Sequence, residues 1–323
     1  MAVPGHFPDD NQPAGGGMNT AFLASQKARQ RANFIIFLGP ACVLLLMFFI
    51  LPVIVDIGVA FTDMGRTLRI ENFTFENFER MITRDTRLLK TLSLTFIYVL
   101  ATLAFFNVTF GLALALVTTA VPDKVGGFFR AVWLLPRMSP SVVYALLWAW
   151  AIDPTERGLL NQILLAVGLP IFDLQNDNPM ALIVVVNGFI GASMGMIIFT
   201  SAIRSVPEHL FFAARADGAG EMRIMWHITL PAIRWPISFI TVYQTLSLLV
   251  SFEYIWLITD GGPFYDTTVF ALYVYKRAFE SGQYAYGATL ALILVVVGIA
   301  AAMAMWRFLN MKALLAEPRI EVH

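Results

Sequence analysis

Long apolar runs broken by short charged segments set the pattern of this chain. A helix needs about 20 mostly apolar residues to cross a bilayer core, and six stretches qualify. They cover residues 34–61, 92–119, 128–152, 180–203, 232–258 and 284–309. Pro40 and Pro52 predict kinks in the first, and Asp56 lies near its far end. The third contains Pro136, Arg137 and Pro140, and the fifth carries Glu253. The expected fold is all-α, a polytopic membrane bundle of six transmembrane helices.

The segments between these runs divide the chain further. Residues 1–30 hold Pro4, Pro8, Pro13 and Gly15–Gly17, a composition that cannot bury a core, and read as a disordered cytoplasmic tail. Residues 31–91 are the first helix and an outer loop, 92–312 the main transmembrane domain, and 313–323 a second cytoplasmic tail. Lys27, Arg29 and Arg31 stand just before the first span, which votes for an internal N-terminus. The bias over the whole chain is weak. Residues 65–90 add Arg66, Arg69, Arg80, Arg84, Arg87 and Lys90 to the opposite side, mixed with Glu71, Glu76, Glu79 and Asp85 and preceded by Asp63. Six spans and that vote place both termini in the cytoplasm. Residues 153–179 and 259–283 then form outer loops, with Gly261-Gly262-Pro263 a strong turn signal.

On this topology residues 205–231 face the cytoplasm, and they are built differently from everything around them. Ser205 and Glu208 have capping-box spacing. Pro207 suits a first helical turn, and Gly218 suits a helix end. The spacing predicts a helix over 206–217, a glycine break, a second helix over 220–228, and Pro231 closing the loop. Leu210, Phe211 and Ala214 share one face, and Ala213, Ala214 and Ala216 permit close approach. Such a surface fits a docking knob, or an amphipathic helix lying on lipid headgroups.

Composition narrows the chemistry. Hydrophobic residues make up 58% of the chain and charged residues 14%, against roughly 45–50% and 25% in soluble domains, so the partner medium is the lipid bilayer. The net charge of zero gives nucleic-acid binding no electrostatic support. Cys42 stands alone, and His6, His209, His227 and His323 have no ligand spacing, so no metal site is expected. There is no Gly-x-x-x-x-Gly-Lys-Ser/Thr run, no His-Glu-x-x-His and no Gly-x-Ser-x-Gly. Three polar residues inside spans are expensive enough to matter. Arg137 reads as a substrate-pathway residue or as the partner of a carboxylate such as Glu253. Glu253 reads as a cavity or gate residue or as a solvated helix end. Asn187 reads as an interhelical hydrogen bond or a ligand contact.

The run Ala213-Ala214-Arg215-Ala216-Asp217-Gly218-Ala219, followed by Ile228-Thr229-Leu230-Pro231, resembles the EAA loop of ABC importer permeases. That loop usually reads Glu-Ala-Ala, a spacer, Gly, and a later Ile-x-Leu-Pro. The lead-in Ser-Val-Pro-Glu-His-Leu and the run Leu257-Ile258-Thr259-Asp260-Gly261-Gly262-Pro263 resemble the sugar-uptake members, including the maltose and glycerol-phosphate types. Phe212 stands where the family has its glutamate. The resemblance implies that 205–231 is a coupling helix fitting a cleft on a cytoplasmic ATPase. Leu210, Phe211, Phe212, Ala213, Ala214, Asp217, Gly218, Ile228, Leu230 and Pro231 would make that contact. It further implies a second homologous permease, two copies of the ATPase carrying ATP and Mg, an extracytoplasmic solute-binding protein, and a place in the cell inner membrane. The chain itself would be no enzyme and hold no cofactor. The cargo would be a sugar, oligosaccharide or polyol derivative, sugar phosphates and sulfonates included. Two other readings compete: a stand-alone ion-coupled secondary transporter using Asp56, Arg137 and Glu253, for which no inverted repeat is evident, and a membrane enzyme, which the missing motifs oppose.

Overall fold

The computed structural model describes residues 36–308, so the tails expected at 1–30 and 313–323 lie outside it. The chain divides into two units after Gly58. The first contributes most of helix α1, Ile36–Ala60, whose apolar window holds no buried residue. Pro40 and Pro52 do not interrupt it. A π-helical turn over Leu46–Ile50 instead precedes Pro52, where the ring would otherwise crowd the carbonyl four residues back.

The second unit is a helix bundle. A short helix α2 (Glu76–Thr83) precedes α3 (Leu88–Ala120), followed by α4 (Asp123–Met138), α5 (Ser141–Ala151) and α6 (Leu159–Ala166). Next come the long α7 (Pro179–Arg204), α8 (Glu208–Ala216) and α9 (residues 221–232). The chain finishes with α10 (Arg234–Leu249), α11 (Glu253–Thr259), α12 (residues 270–280) and α13 (Tyr284–Phe308).

Four of these helices, α1, α3, α7 and α13, are long and apolar enough to cross a membrane, and the pair α10–α11, bent by 51°, forms a fifth crossing if counted as one span. The third and fifth expected spans are therefore not continuous helices. The third breaks at Ser139-Pro140 into α4 and α5, because Pro140 cannot continue the hydrogen-bond ladder and holds Ser139 extended. Its first piece carries Asp123, Lys124, Arg130 and Arg137, and its second has 11 residues. The fifth breaks at residues 250–252 without a proline. Both expected outer loops also contain helix: α6 and the turn Leu174–Asp177 in one, α12 in the other.

Helix α7 is the central post, with 72% of its apolar window buried. Gly188, Gly191 and Gly195 let α3 approach so closely that a Cβ at these positions would lie 2.2, 2.0 and 2.3 Å from Phe106 or Asn107 atoms. Small residues at such spacing are the usual basis of tight helix contact in a bilayer. The facing part of α3 is π-wound over Thr102–Phe110. Around α7 lies a core of Tyr98, Tyr144, Leu182, Val186, Ile190, Leu248 and Ile255, toward the end of the bundle remote from 205–231.

Candidate functional site

The two ends of the bundle are built on different principles. At the end carrying 205–231, α7 stops and α8 begins within a few residues. Ser205 donates its hydroxyl to the Ala202 carbonyl at 2.7 Å, so it finishes α7. The expected capping box with Glu208 does not form, and α8 starts at Glu208, after Pro207, with no side-chain cap. The glycine break is as expected. Gly218 has φ +78°, the Ala219 N–H donates to Ala214 and the Gly218 N–H to Arg215, which together make a Schellman C-terminus. Nothing lies within 4 Å of a Cβ built on Gly218, so its requirement is backbone conformation alone.

Beyond the break, α9 runs further than expected. Pro231 lies inside it rather than closing the loop. A π turn over Met225–Thr229 precedes the proline, much as in α1. Arg215 and Glu221 form an ion pair at 3.1 Å across Gly218 and staple α8 to α9. A second pair at 2.6 Å, Arg204 with Asp123, ties the end of α7 to the start of α4. These pairs are exposed and are worth about 0–1 kcal/mol each, so they set geometry more than stability. A cleft of about 910 Å³ opens between α8, α9 and the adjoining ends of α3 and α7.

The loop's surface mixes exposed charges with large exposed apolar side chains. Phe212 is 63% exposed, Met222 66% and Trp226 60%. Leu210, Ala213, Asp217 and Pro231 are exposed, whereas Phe211, Ala214, Ile228 and Leu230 are half-buried and pack inward. The expected contact set is thus split between an outward face and its support. Met222 and Trp226 were not expected, although their i, i+4 spacing on α9 signals one helix face.

The intramembrane candidates separate in the same way. Asn187 is buried on α7 and donates to the Tyr98 hydroxyl and, at 3.1 Å, to Ser251. It joins three helical segments at the α10–α11 break, which is its interhelical reading. Glu253 begins α11 and is exposed. It accepts a hydrogen bond from Ser141, the first residue of α5. Arg137 is exposed near the end of α4. No ion pair joins Arg137 to Glu253 among the described residues. The Ser141–Glu253 bond joins the two helix breaks, with Glu253 exposed at the junction and Arg137 exposed two residues before the first break.

At the far end the chain is cross-tied to itself. Asp85 accepts from the hydroxyls of Tyr273, at 2.6 Å, and Tyr286. Arg277 donates to Tyr273 at 3.0 Å, and Arg80 lies over the Tyr286 ring at 4.3 Å. Arg87 bonds the Tyr265 hydroxyl at 2.7 Å, and Lys90 pairs with Asp266 at 2.7 Å. Burial pushes the Asp85 carboxyl up. The hydrogen bonds from Tyr273, Tyr286 and the Arg87 N–H, with the Arg277 charge, outweigh it and hold the group below its ordinary range. The basic residues that blurred the topology vote are in large part these structural ties.

Known proteins resemble this chain in sequence and in fold. Residues 107–312 match the family model described as the binding-protein-dependent transport system inner membrane component. The diacetylchitobiose uptake system permease protein NgcF of Streptomyces coelicolor is 30% identical over 280 residues, 82% of this chain and 78% of that one. The multiple sugar-binding transport system permease protein MsmF of Streptococcus mutans is 28% identical over 81% of this chain and 90% of its own length. Among solved structures, a bacterial ABC transporter involved in the import of the acidic polysaccharide alginate superposes with a TM-score of 0.75 at 22% identity, over 90% of this chain and 98% of that one. This chain belongs to the family of binding-protein-dependent transport system inner membrane components, the permease subunits of ABC importers.

Proposed function

We propose that the chain is one of two homologous permeases in an inner-membrane importer that carries a sugar or sugar derivative inward. Its termini and residues 205–231 lie in the cytoplasm. There α8 and α9 fit one of two copies of an ATPase, which carries ATP and Mg. An extracytoplasmic solute-binding protein delivers the cargo at the opposite end. The observation that carries this reading is the loop itself: two short helices locked at a fixed angle by the Gly218 turn and the Arg215–Glu221 pair, presenting Phe212, Met222 and Trp226 outward. Rigid apolar anchors on a pre-set frame are what a docking element needs. Phe212 supplies an apolar contact where the family has a glutamate.

Arg137 and Glu253 line the route through the membrane in this account, and Asn187 holds the route's walls together. Irregular backbone at membrane depth is tolerated only inside protein or beside water, and both helix breaks satisfy that only if their exposed charges face a second subunit or an aqueous path. The relatives named for diacetylchitobiose and multiple sugars support a saccharide cargo.

The test is to purify the chain with its genetic neighbours and measure ATP hydrolysis with and without the solute-binding protein. Hydrolysis that the binding protein stimulates, and that a charged replacement at the exposed Phe212 uncouples, is the expected result. Stimulation that survives such a replacement would sink the docking role.

A further inference from the structure

The segment joining α5 to α7 carries an apolar surface that the reading above does not use. From Gly158 to Phe172 there is no charged residue, while Asp153, Glu156 and Arg157 stand before this stretch and Asp173 and Asp177 after it. Its one exposed polar side chain, Gln162, turns back to donate to the Arg157 carbonyl at 2.9 Å. Ile163 is 55% exposed and Val167 67%, and every residue from Leu165 to Phe172 is exposed.

The surface is held in place by its own backbone. Asn161, 1% exposed, donates its amide to the Asp153 and Thr155 carbonyls at 3.1 and 3.2 Å and accepts from the Phe172 N–H at 2.9 Å. One side chain thus closes the segment at both ends. At Gly168, with φ +82°, the Leu169 N–H reaches back to the Leu164 carbonyl and the Gly168 N–H to the Leu165 carbonyl. That is a Schellman turn, and it ends α6.

Two constraints fix the depth of this segment. Helix α7 has 26 residues, about 39 Å at the usual rise, against a hydrocarbon core of about 30 Å. The segment leads into the first residue of α7, Pro179, so it lies at a bilayer surface, the one remote from 205–231. Residues 167–173 are not helical, and their backbone groups need water, which hydrocarbon does not supply. The side chains from Leu165 to Phe172 need the opposite medium. The headgroup boundary provides both. Trp150, exposed at the end of α5, stands where membrane helices carry interfacial aromatics. Exposed Val143, Leu146 and Leu147 continue the apolar face along α5. Protein interfaces are centred on Trp, Tyr and Arg, and residues 158–172 contain none of the three.

We propose that α6 and the turn after it, residues 159–172, form an interfacial anchor. Its aliphatic side chains rest in the lipid headgroup boundary and hold the end of α5 at that surface.

The experiment uses the assembled importer in liposomes, with Cys42 replaced by serine. A bimane label is attached at Ile163→Cys or Val167→Cys, with Glu156→Cys as the water reference and Val296→Cys on α13 as the bilayer reference. Quenching is measured with iodide in the water and with phosphatidylcholine carrying a nitroxide either near its glycerol or near the end of its acyl chain. Labels at Ile163→Cys and Val167→Cys should be quenched by the shallow nitroxide roughly three-fold more than the label at Glu156→Cys. They should also respond more to the shallow nitroxide than to the deep one, the reverse of Val296→Cys. Iodide quenching equal to that at Glu156→Cys, without lipid quenching, would mean that the segment stands in water. Protection from both quenchers would mean that another subunit covers it. Either result overturns the proposal.

Discussion

The two ends of the bundle differ in where their bonds go. At the far end, ties such as Asp85–Tyr286, Lys90–Asp266 and Arg80–Gln283 join residues about 175–205 positions apart. At the end carrying 205–231 the ion pair within the loop spans six positions, and exposed Phe212, Met222 and Trp226 have no cover. The far end pairs its polar groups across the chain, although Phe264 there is 91% exposed. The loop is held only by local ties and presents its apolar side chains on two short, stiff helices. On the proposed reading this asymmetry serves an importer: a self-held outer frame, and an inner handle moved by a separate ATPase.

Substitutions can break or sharpen that contrast. The largest effect is expected from Phe212→Ala combined with Trp226→Ala. Buried aromatic anchors cost about 2–4 kcal/mol on truncation, so the ATPase should no longer co-purify, while the permease itself should keep its thermal stability in detergent. Gly218→Val comes next. A β-branched residue at φ +78° is strained by roughly 1–2 kcal/mol, and transport should fall sharply. Gly218→Asn, which tolerates the left-handed conformation, should retain most of it. Loss with both would show that the turn geometry is not what matters.

Asp85→Asn tests the opposite end. It should loosen the far-end ties by about 1 kcal/mol after solvent screening, seen as faster hydrogen exchange around 261–286 and not around 208–232. The pH dependence has a definite sign. The Asp85 carboxyl is held below its ordinary range in the folded chain, so its contribution is complete above the unfolded value and is lost as pH falls through the lower folded one. Acid below about pH 4 should therefore mimic the substitution, and the substituted chain should lose that acid sensitivity. The smallest effect belongs to Asn187→Leu. Interhelical side-chain hydrogen bonds in membranes average about 0.6 kcal/mol, so a modest drop in melting temperature is expected with assembly intact.

Much of this was legible in the chain. Hydropathy located α3, α7 and α13 to within a few residues, because a bilayer demands length and apolarity and little else. The Gly218 turn was legible because only a few residue types accept its backbone. The break at Pro140 was written in the sequence but is easily read as a kink within one span. The break at 250–252 has no proline or glycine to announce it; it coincides with Ser251 taking a hydrogen bond from Asn187 on α7, a tertiary event. Ser205 misleads because two helices abut and only one can use its hydroxyl. The far-end ties escape sequence counting, since Arg80, Arg87 and Lys90 look like solvated charges until their partners, far along the chain, are in place. Met222 and Trp226 were within reach of periodicity, since both lie in the helix expected over 220–228.

The central claim, that 205–231 is the docking element for a separate ATPase, meets its most direct test in cross-linking. With Cys42 replaced by serine, Phe212→Cys and Phe264→Cys are introduced one at a time into the assembled importer and treated with a short bifunctional thiol reagent. Phe212 and Phe264, 63% and 91% exposed, lie at opposite ends of the chain's span. The account requires Phe212→Cys to join the ATPase subunit, in a yield that changes when ATP is bound, and Phe264→Cys never to do so. An importer that hydrolyses ATP under binding-protein stimulation while Phe212→Cys joins no ATPase would contradict it.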